Sequence, residues 1–100
     1  MTKMNRNRYY YVYISTNKGC SVLYTGVTNN LLERDVQHKR KIKSNSFTVR
    51  YNINKIVYYE TFMDILEALT REKQIKGGSR DKKINLIKSI NPLWENLIKI

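Results

Sequence analysis

Glu72 sits among oily neighbours. Between Asp64 and Gly77 the apolar residues Ile65, Ala68, Leu69 and Ile75 recur at the helical period, and Glu72 falls in the middle of their stripe. An ionised carboxylate placed there is costly unless a cation stands beside it. Two kinds of cation are open to it: one of the many lysines and arginines, or a divalent metal ion. Glu67 on the same helix projects outward, where capping and solvation account for it.

A second pair of chemically capable residues lies upstream. Arg34 and the single histidine, His38, are one helical turn apart and share a face with Leu31, away from Leu32 and Val36. A guanidinium stays charged at any relevant pH and forks onto two phosphate oxygens, whereas an imidazole changes charge near neutrality. The chain also has 8 tyrosines, crowded into the segments that precede this helix and into one that follows it. Strand aromatics ordinarily cover a sheet face, so no single one signals chemistry.

Charge narrows the class of partner. Nineteen Lys and Arg against 8 Asp and Glu leave a net charge of +11 on 100 residues, a single domain with a radius of about 13 Å. Such a density predicts a polyanion, above all nucleic acid, because each neutralised phosphate releases condensed counterions. A membrane surface fits less well, since there is no long apolar run, no basic amphipathic helix with a Trp/Phe/Leu face, and no signal peptide. Cys20 is the only cysteine, which excludes an internal disulfide and a thiolate metal site and suits a reduced, cytoplasmic setting.

These residues need elements to carry them. Tyr9 to Ile14 and Ser21 to Val27 read as strands joined through Asn17-Lys18-Gly19 into an antiparallel hairpin. Asn29 or Asn30 caps a helix over residues 31–43, and Lys55 to Thr61 gives a third strand. Asp64 with Glu67 makes a capping box for a second helix that ends at Gly77-Gly78. A third runs from about Ser79 to Asn91-Pro92, and the tail returns Trp94 and Leu97 to the core. The fold class is α+β in the order β-β-α-β-α-α, a small sheet covered by helices, with no repeat or linker over residues 1–100.

Taken together, YVYI at 11–14, YTG at 24–26, Arg34 with His38, and Ala68-x-x-x-Glu72-x-x-Ile75 resemble the GIY-YIG nuclease superfamily, its small single-domain bacterial members in particular. Those members also carry VYYE, EAxxREKQIK and NPxWxxL, and the likeness extends from Tyr11 to Leu97. The resemblance implies a three-stranded antiparallel sheet flanked by helices, and cleavage of DNA phosphodiester bonds with one divalent cation, Mg²⁺ or Mn²⁺. Tyr13 and Tyr24 match the two motif tyrosines, Gly26 the closing glycine, Arg34 the helix arginine and Glu72 the metal ligand. His38 falls where the family often places a histidine or tyrosine.

That mapping assigns roles. Glu72 would hold the cation, and Arg34 would stabilise the pentacovalent phosphoryl group. Tyr13 is the expected general base, with Tyr24 sharing its hydrogen bond or standing in for it, on the argument that a phenol beside a cation ionises below its usual value near ~10. His38 would relay the proton or orient a tyrosine. Gly26 would let a phosphate approach the main chain. Lys39, Arg40 and Lys41 after the first helix, and Lys73 and Lys76 with Arg80, Lys82 and Lys83 around the end of the second, would grip the flanking backbone.

Tyr11 stands where the family name has glycine and Thr25 where it has isoleucine. The supporting asparagine of the family has two candidates, Asn91 within NPLW and Asn85. A compact domain without an added module predicts DNA that is single-stranded or branched, with RNA still open. Two other readings share the scaffold: a basic DNA- or RNA-binding module that no longer cuts, and an RNA-associated protein in which Glu72 only pairs with a lysine. Oligomeric state is not legible.

Overall fold

The computed structural model describes residues 9–40 and 50–98. Its elements follow the expected order: β1 (Tyr10–Thr16), β2 (Leu23–Thr28), α1 (Leu31–Arg40), β3 (Lys55–Phe62), α2 (Ile65–Gly77) and α3 (Arg80–Ile90). The strands form one antiparallel sheet in the order β2-β1-β3. The chain is therefore α+β with β1 in the middle.

The hairpin differs from its sequence reading by two residues at the turn. Ser15 and Thr16 look like loop residues, yet both are fully buried and extend β1, and the Thr16 hydroxyl donates to the Val22 carbonyl at 2.7 Å. The Asn17 side-chain oxygen accepts from the Ser21 and Val22 amides at 2.9 and 3.3 Å. Those two amides turn to Asn17, so β2 begins at Leu23. Cys20 closes the loop at φ 59°, in the left-handed region.

Two small cores lie on the two sheet faces. One gathers Val12, Ile14, Val57 and Tyr58 under Ala68 and Ile75 of α2 and Ile87 of α3. A bulge in β3 makes this possible: Ile14 pairs with Tyr58 but Ser15 with Ile56, so Val57 is the extra residue. The other core joins Tyr13 and Ile56 to Leu31 of α1, with Tyr24 and Ile98 packed beside them.

Capping fixes the helix ends. The Asn30 side chain accepts from Glu33 N at 3.0 Å, which selects Asn30 over Asn29. Asp64 accepts from Leu66 N at 3.2 Å and Ser79 from Lys82 N at 3.2 Å. The tail is tied back by Leu97 N donating to Ile56 O at 2.8 Å, and Trp94 packs against the first core. Of the stripe read on α2, Ala68 and Ile75 are buried, while Ile65 and Leu69 lie at its exposed margin. On α1 the inward residues are Leu31 and Asp35, with Leu32 in solvent.

Candidate active site

Sheet register brings the two motif tyrosines together. Tyr13 on β1 lies directly across from Gly26 on β2, and Tyr24, two residues earlier on β2, occupies the same face as its diagonal neighbour. Their ring centroids are 6.2 Å apart at 46°. A Cβ added to Gly26 would stand 2.6 Å from the Tyr13 hydroxyl oxygen and 2.7 Å from Cζ. Gly26 is itself buried, so the close neighbour its missing side chain accommodates is this phenol. The phosphate approach expected at Gly26 gives way to that packing role.

Charge joins two more residues to the pair. Burial pushes the Tyr13 phenol well above its ordinary range; the positive charge of Arg34 opposes this, while Tyr24 and Glu72 add to it. Groups from β2, α1 and α2 thus act on one hydroxyl of β1. Against Arg34 alone, the sign is opposite to the expectation that Tyr13 ionises easily. Its side chain is 1% exposed, so desolvation of the phenolate exceeds the help from Arg34.

Arg34 enters this site one turn into α1, its amide bonded to the Asn30 carbonyl at 3.1 Å. The guanidinium is half-buried, and its Nε is buried with no hydrogen-bond partner among the described residues. A buried donor of this kind is costly unless an acceptor arrives. Its fork geometry suits a phosphate oxygen.

Glu72 lies on the flank of α2 beside the buried Ala68–Ile75 line, with its side chain 16% exposed. Lys76, one turn on and far more exposed, reaches its Oε2 at 2.8 Å. Of the two kinds of cation open to Glu72, the structure shows the lysine. No group of three or more His, Cys, Asp or Glu is placed to hold a metal among the described residues. A hard divalent ion nevertheless needs only one or two protein carboxylates, its other ligands being water and substrate phosphate. Glu72 meets that requirement, since its present partner is a solvent-exposed lysine able to swing away.

The other expected residues divide. His38, Lys39 and Arg40 belong to the backbone of α1, but their side chains, like all of Lys41, fall outside the described residues. Lys73 and Lys76 are exposed on α2. Asn91 is not a site residue. It caps α3, is 6% exposed, and spends its amide on structure: Nδ2 donates to Val57 O at 3.0 Å and Glu95 O at 2.8 Å, and Oδ1 accepts from Glu95 N at 3.0 Å. Asn85 is exposed in a groove between α2 and α3 with Arg71, Gln74 and Lys82.

Two features escaped the sequence reading. Arg71 forks onto Glu60, Nε to Oε1 and Nη2 to Oε2 both at 2.9 Å, and the Tyr58 hydroxyl donates to the same carboxylate. Burial raises the Tyr58 phenol to about 12, reinforced by its bond to Glu60. Burial also opposes the charge on Glu60, yet the bonds from Arg71 and Tyr58 outweigh it and hold that carboxyl below its usual range. Asp35, fully buried, is the second. The signal was available: it follows buried Leu31 by one turn, the same spacing argument that singled out Glu72.

This topology and this cluster define a GIY-YIG domain. The family described as the GIY-YIG catalytic domain matches residues 9–85, and the chain belongs to it. Within that family it stands with the small bacterial UPF0213 proteins. It is 40% identical over 89 residues to one from Clostridium perfringens, covering 89% of this chain and 94% of that one. A UPF0213 protein of Staphylococcus saprophyticus is 37% identical over 78 residues, or 78% of this chain and 93% of the relative. The solution NMR structure of the UPF0213 protein BH0048 from Bacillus halodurans matches with a TM-score of 0.54 at 29% identity, covering 92% and 96% of the two chains. GIY-YIG domains form an endonuclease superfamily that acts on nucleic acid and generally uses divalent metal ions. No helix among the described residues is long and apolar enough to cross a membrane.

Proposed function

We propose that the protein is a metal-dependent endonuclease that hydrolyses DNA phosphodiester bonds, preferring single-stranded or branched substrates, in DNA processing or repair in the cytoplasm. One observation carries the reading: the sheet sets Tyr13 against Gly26 with the Tyr24 ring 6.2 Å away, and Arg34 of α1 and Glu72 of α2 lie near enough for their charges to bear on the Tyr13 hydroxyl. A scaffold selected only for binding charge has no need to converge a phenol pair, a guanidinium and a carboxylate.

The residues divide the work as follows. Arg34 holds the scissile phosphate, its buried Nε supplying a donor to a phosphoryl oxygen whose charge grows toward the transition state. Tyr24, only half-buried, is the phenol placed to meet the attacking water, and it takes the water's proton as the phenolate, its own proton having first passed to solvent. Tyr13 stays protonated and fixes the place of Tyr24 from the central strand. Glu72 would hold Mg²⁺ or Mn²⁺, which when bound supplies charge neutralisation at the phosphate and the departing oxygen. Gly26 keeps the Tyr13 ring seated.

The Lys76–Glu72 pair favours a second reading, a nucleic-acid-binding module that does not cut. A panel of labelled single-stranded, duplex, flap and junction DNA, with matched RNA, incubated with Mg²⁺ and Mn²⁺, separates the two. Endonuclease activity that chelator and Glu72→Ala both abolish, with binding nearly intact, is the expected result. Binding without cleavage under every condition establishes the second reading.

A further inference from the structure

The sequence groups Lys82 and Lys83 with the lysines near Glu72, but the structure separates them. On α2, Arg71 and Gln74 are set about 100° and 160° around the helix from Glu72. They face α3, where a groove of about 380 Å³ opens between the two helices, and they also line a second stretch of about 410 Å³ that continues past Thr70 to Leu66. The two stretches share Arg71 and Gln74 as lining. Both lie on the flank of α2 away from the catalytic cluster.

We infer that this α2–α3 groove is a second nucleic-acid-binding track, one that grips the sugar-phosphate backbone of the substrate strand away from the point of cleavage. The inference rests on the nucleic-acid reading of the catalytic cluster. Its lining is chemically mixed in the way a strand requires. Lys82 and Lys83 have no acidic partner among the described residues, so their charge is available to phosphate. Arg71 is already neutralised by Glu60 and serves as wall. Gln74 gives its carbonyl to Arg71 Nη1 at 3.2 Å, which leaves its amide N–H groups as donors, and Asn85 offers both donor and acceptor. Ile75 and Leu86 form an apolar floor for sugar and base. No carboxylate lines the 380 Å³ stretch, so its charge is complementary to a polyanion, whereas Glu67 lines the 410 Å³ stretch beyond it.

The test compares two variants that lose equal charge. In K82Q/K83Q the groove is altered; in K18Q/K88Q two exposed lysines outside it are lost. Affinity for a long single-stranded oligonucleotide is measured by fluorescence anisotropy across salt concentrations, with chelator present to prevent cleavage. K82Q/K83Q should make the slope of log K against log salt shallower by about 1.4, two phosphate contacts at ~0.7 each. K18Q/K88Q should leave it near wild type. Asn85→Asp, which places a negative charge in the groove without removing a lysine, should weaken binding likewise.

Equal slopes for the two double variants overturn the groove and leave the catalytic reading standing. A wild type that binds no oligonucleotide overturns both. Loss of polyglutamate binding in K82Q/K83Q, with oligonucleotide binding retained, assigns the groove to an acidic peptide and also overturns the proposal.

Discussion

Gly26→Ala isolates the contact on which the cluster depends. The new methyl carbon would stand 2.6 Å from the Tyr13 hydroxyl oxygen and 2.7 Å from Cζ, about 0.8 Å inside ordinary van der Waals contact. Tyr13 has no free direction of retreat: it is 1% exposed and packed with Leu31 and Ile56. The cost should match core overpacking, about 1–3 kcal/mol, which for a domain of this size lowers Tm by roughly 5–20 °C.

Activity should fall further than stability, because any swing of the Tyr13 ring also displaces its neighbour Tyr24. Thermal unfolding by circular dichroism gives the first number and cleavage well below Tm gives the second. The control is a double-mutant cycle with Tyr13→Leu, whose shorter side chain does not reach the new methyl. In that background Gly26→Ala should cost only a few tenths of a kcal/mol. A Tm within about 2 °C of wild type for Gly26→Ala alone, with full activity, would refute the claim that glycine is there to seat the phenol.

Three other outcomes are expected. Arg34→Lys should lower kcat by roughly 10²–10³, as loss of a transition-state donor does, with affinity in chelator changed little; a loss confined to affinity would contradict the role of Nε. Asn91→Ala should cost about 2–4 kcal/mol, from three net hydrogen bonds and a Val57 carbonyl left unsatisfied, without lowering kcat below the variant's Tm; a catalytic defect in a stable variant would restore Asn91 to the site. The Tyr58–Glu60–Arg71 network predicts opposite pH limbs. Glu60, with its folded pKa depressed, stabilises above the ordinary carboxyl value of 4.5 and loses that as pH falls through the lower folded value, while Tyr58 loses its contribution as pH rises from 10.0 to about 12. Urea unfolding against pH should therefore show a flatter acid limb for Arg71→Met and a flatter alkaline limb for Tyr58→Phe.

The order of elements was legible because each begins with a local signal that acts within a few residues. Asn30, Asp64 and Ser79 satisfy their own helix amides, and aromatic or β-branched runs mark the strands. What local chemistry could not show was which residue turns inward once distant elements meet. Ile65 and Leu69, read as part of the inward stripe, remain at the surface of α2. The candidates Tyr13, Tyr24, Arg34 and Glu72 could be picked out together because the motif spacing survives. The upward push of burial on Tyr13 was not legible because it depends on how deep β1 lies, a property of the assembled sheet and not of the segment. Asn91 resembled a site residue for a similar reason: its partner, Val57, is 34 positions away.

The Lys76–Glu72 pair is the observation most at odds with catalysis, and its magnitude decides how much it counts. A fully exposed i,i+4 pair is worth about 0.3–0.5 kcal/mol, and with the Glu72 side chain only 16% exposed this pair is worth at least that. A dication brought to Glu72 together with a substrate phosphate has to displace only the lysine of the pair, whose side chain is 58% exposed. The Nε of Arg34, which has no hydrogen-bond partner among the described residues, is a buried donor of the kind that costs about 1–3 kcal/mol when left unbonded. On the proposed reading an arriving phosphate satisfies that donor, and substrate and metal together replace the pair at Glu72.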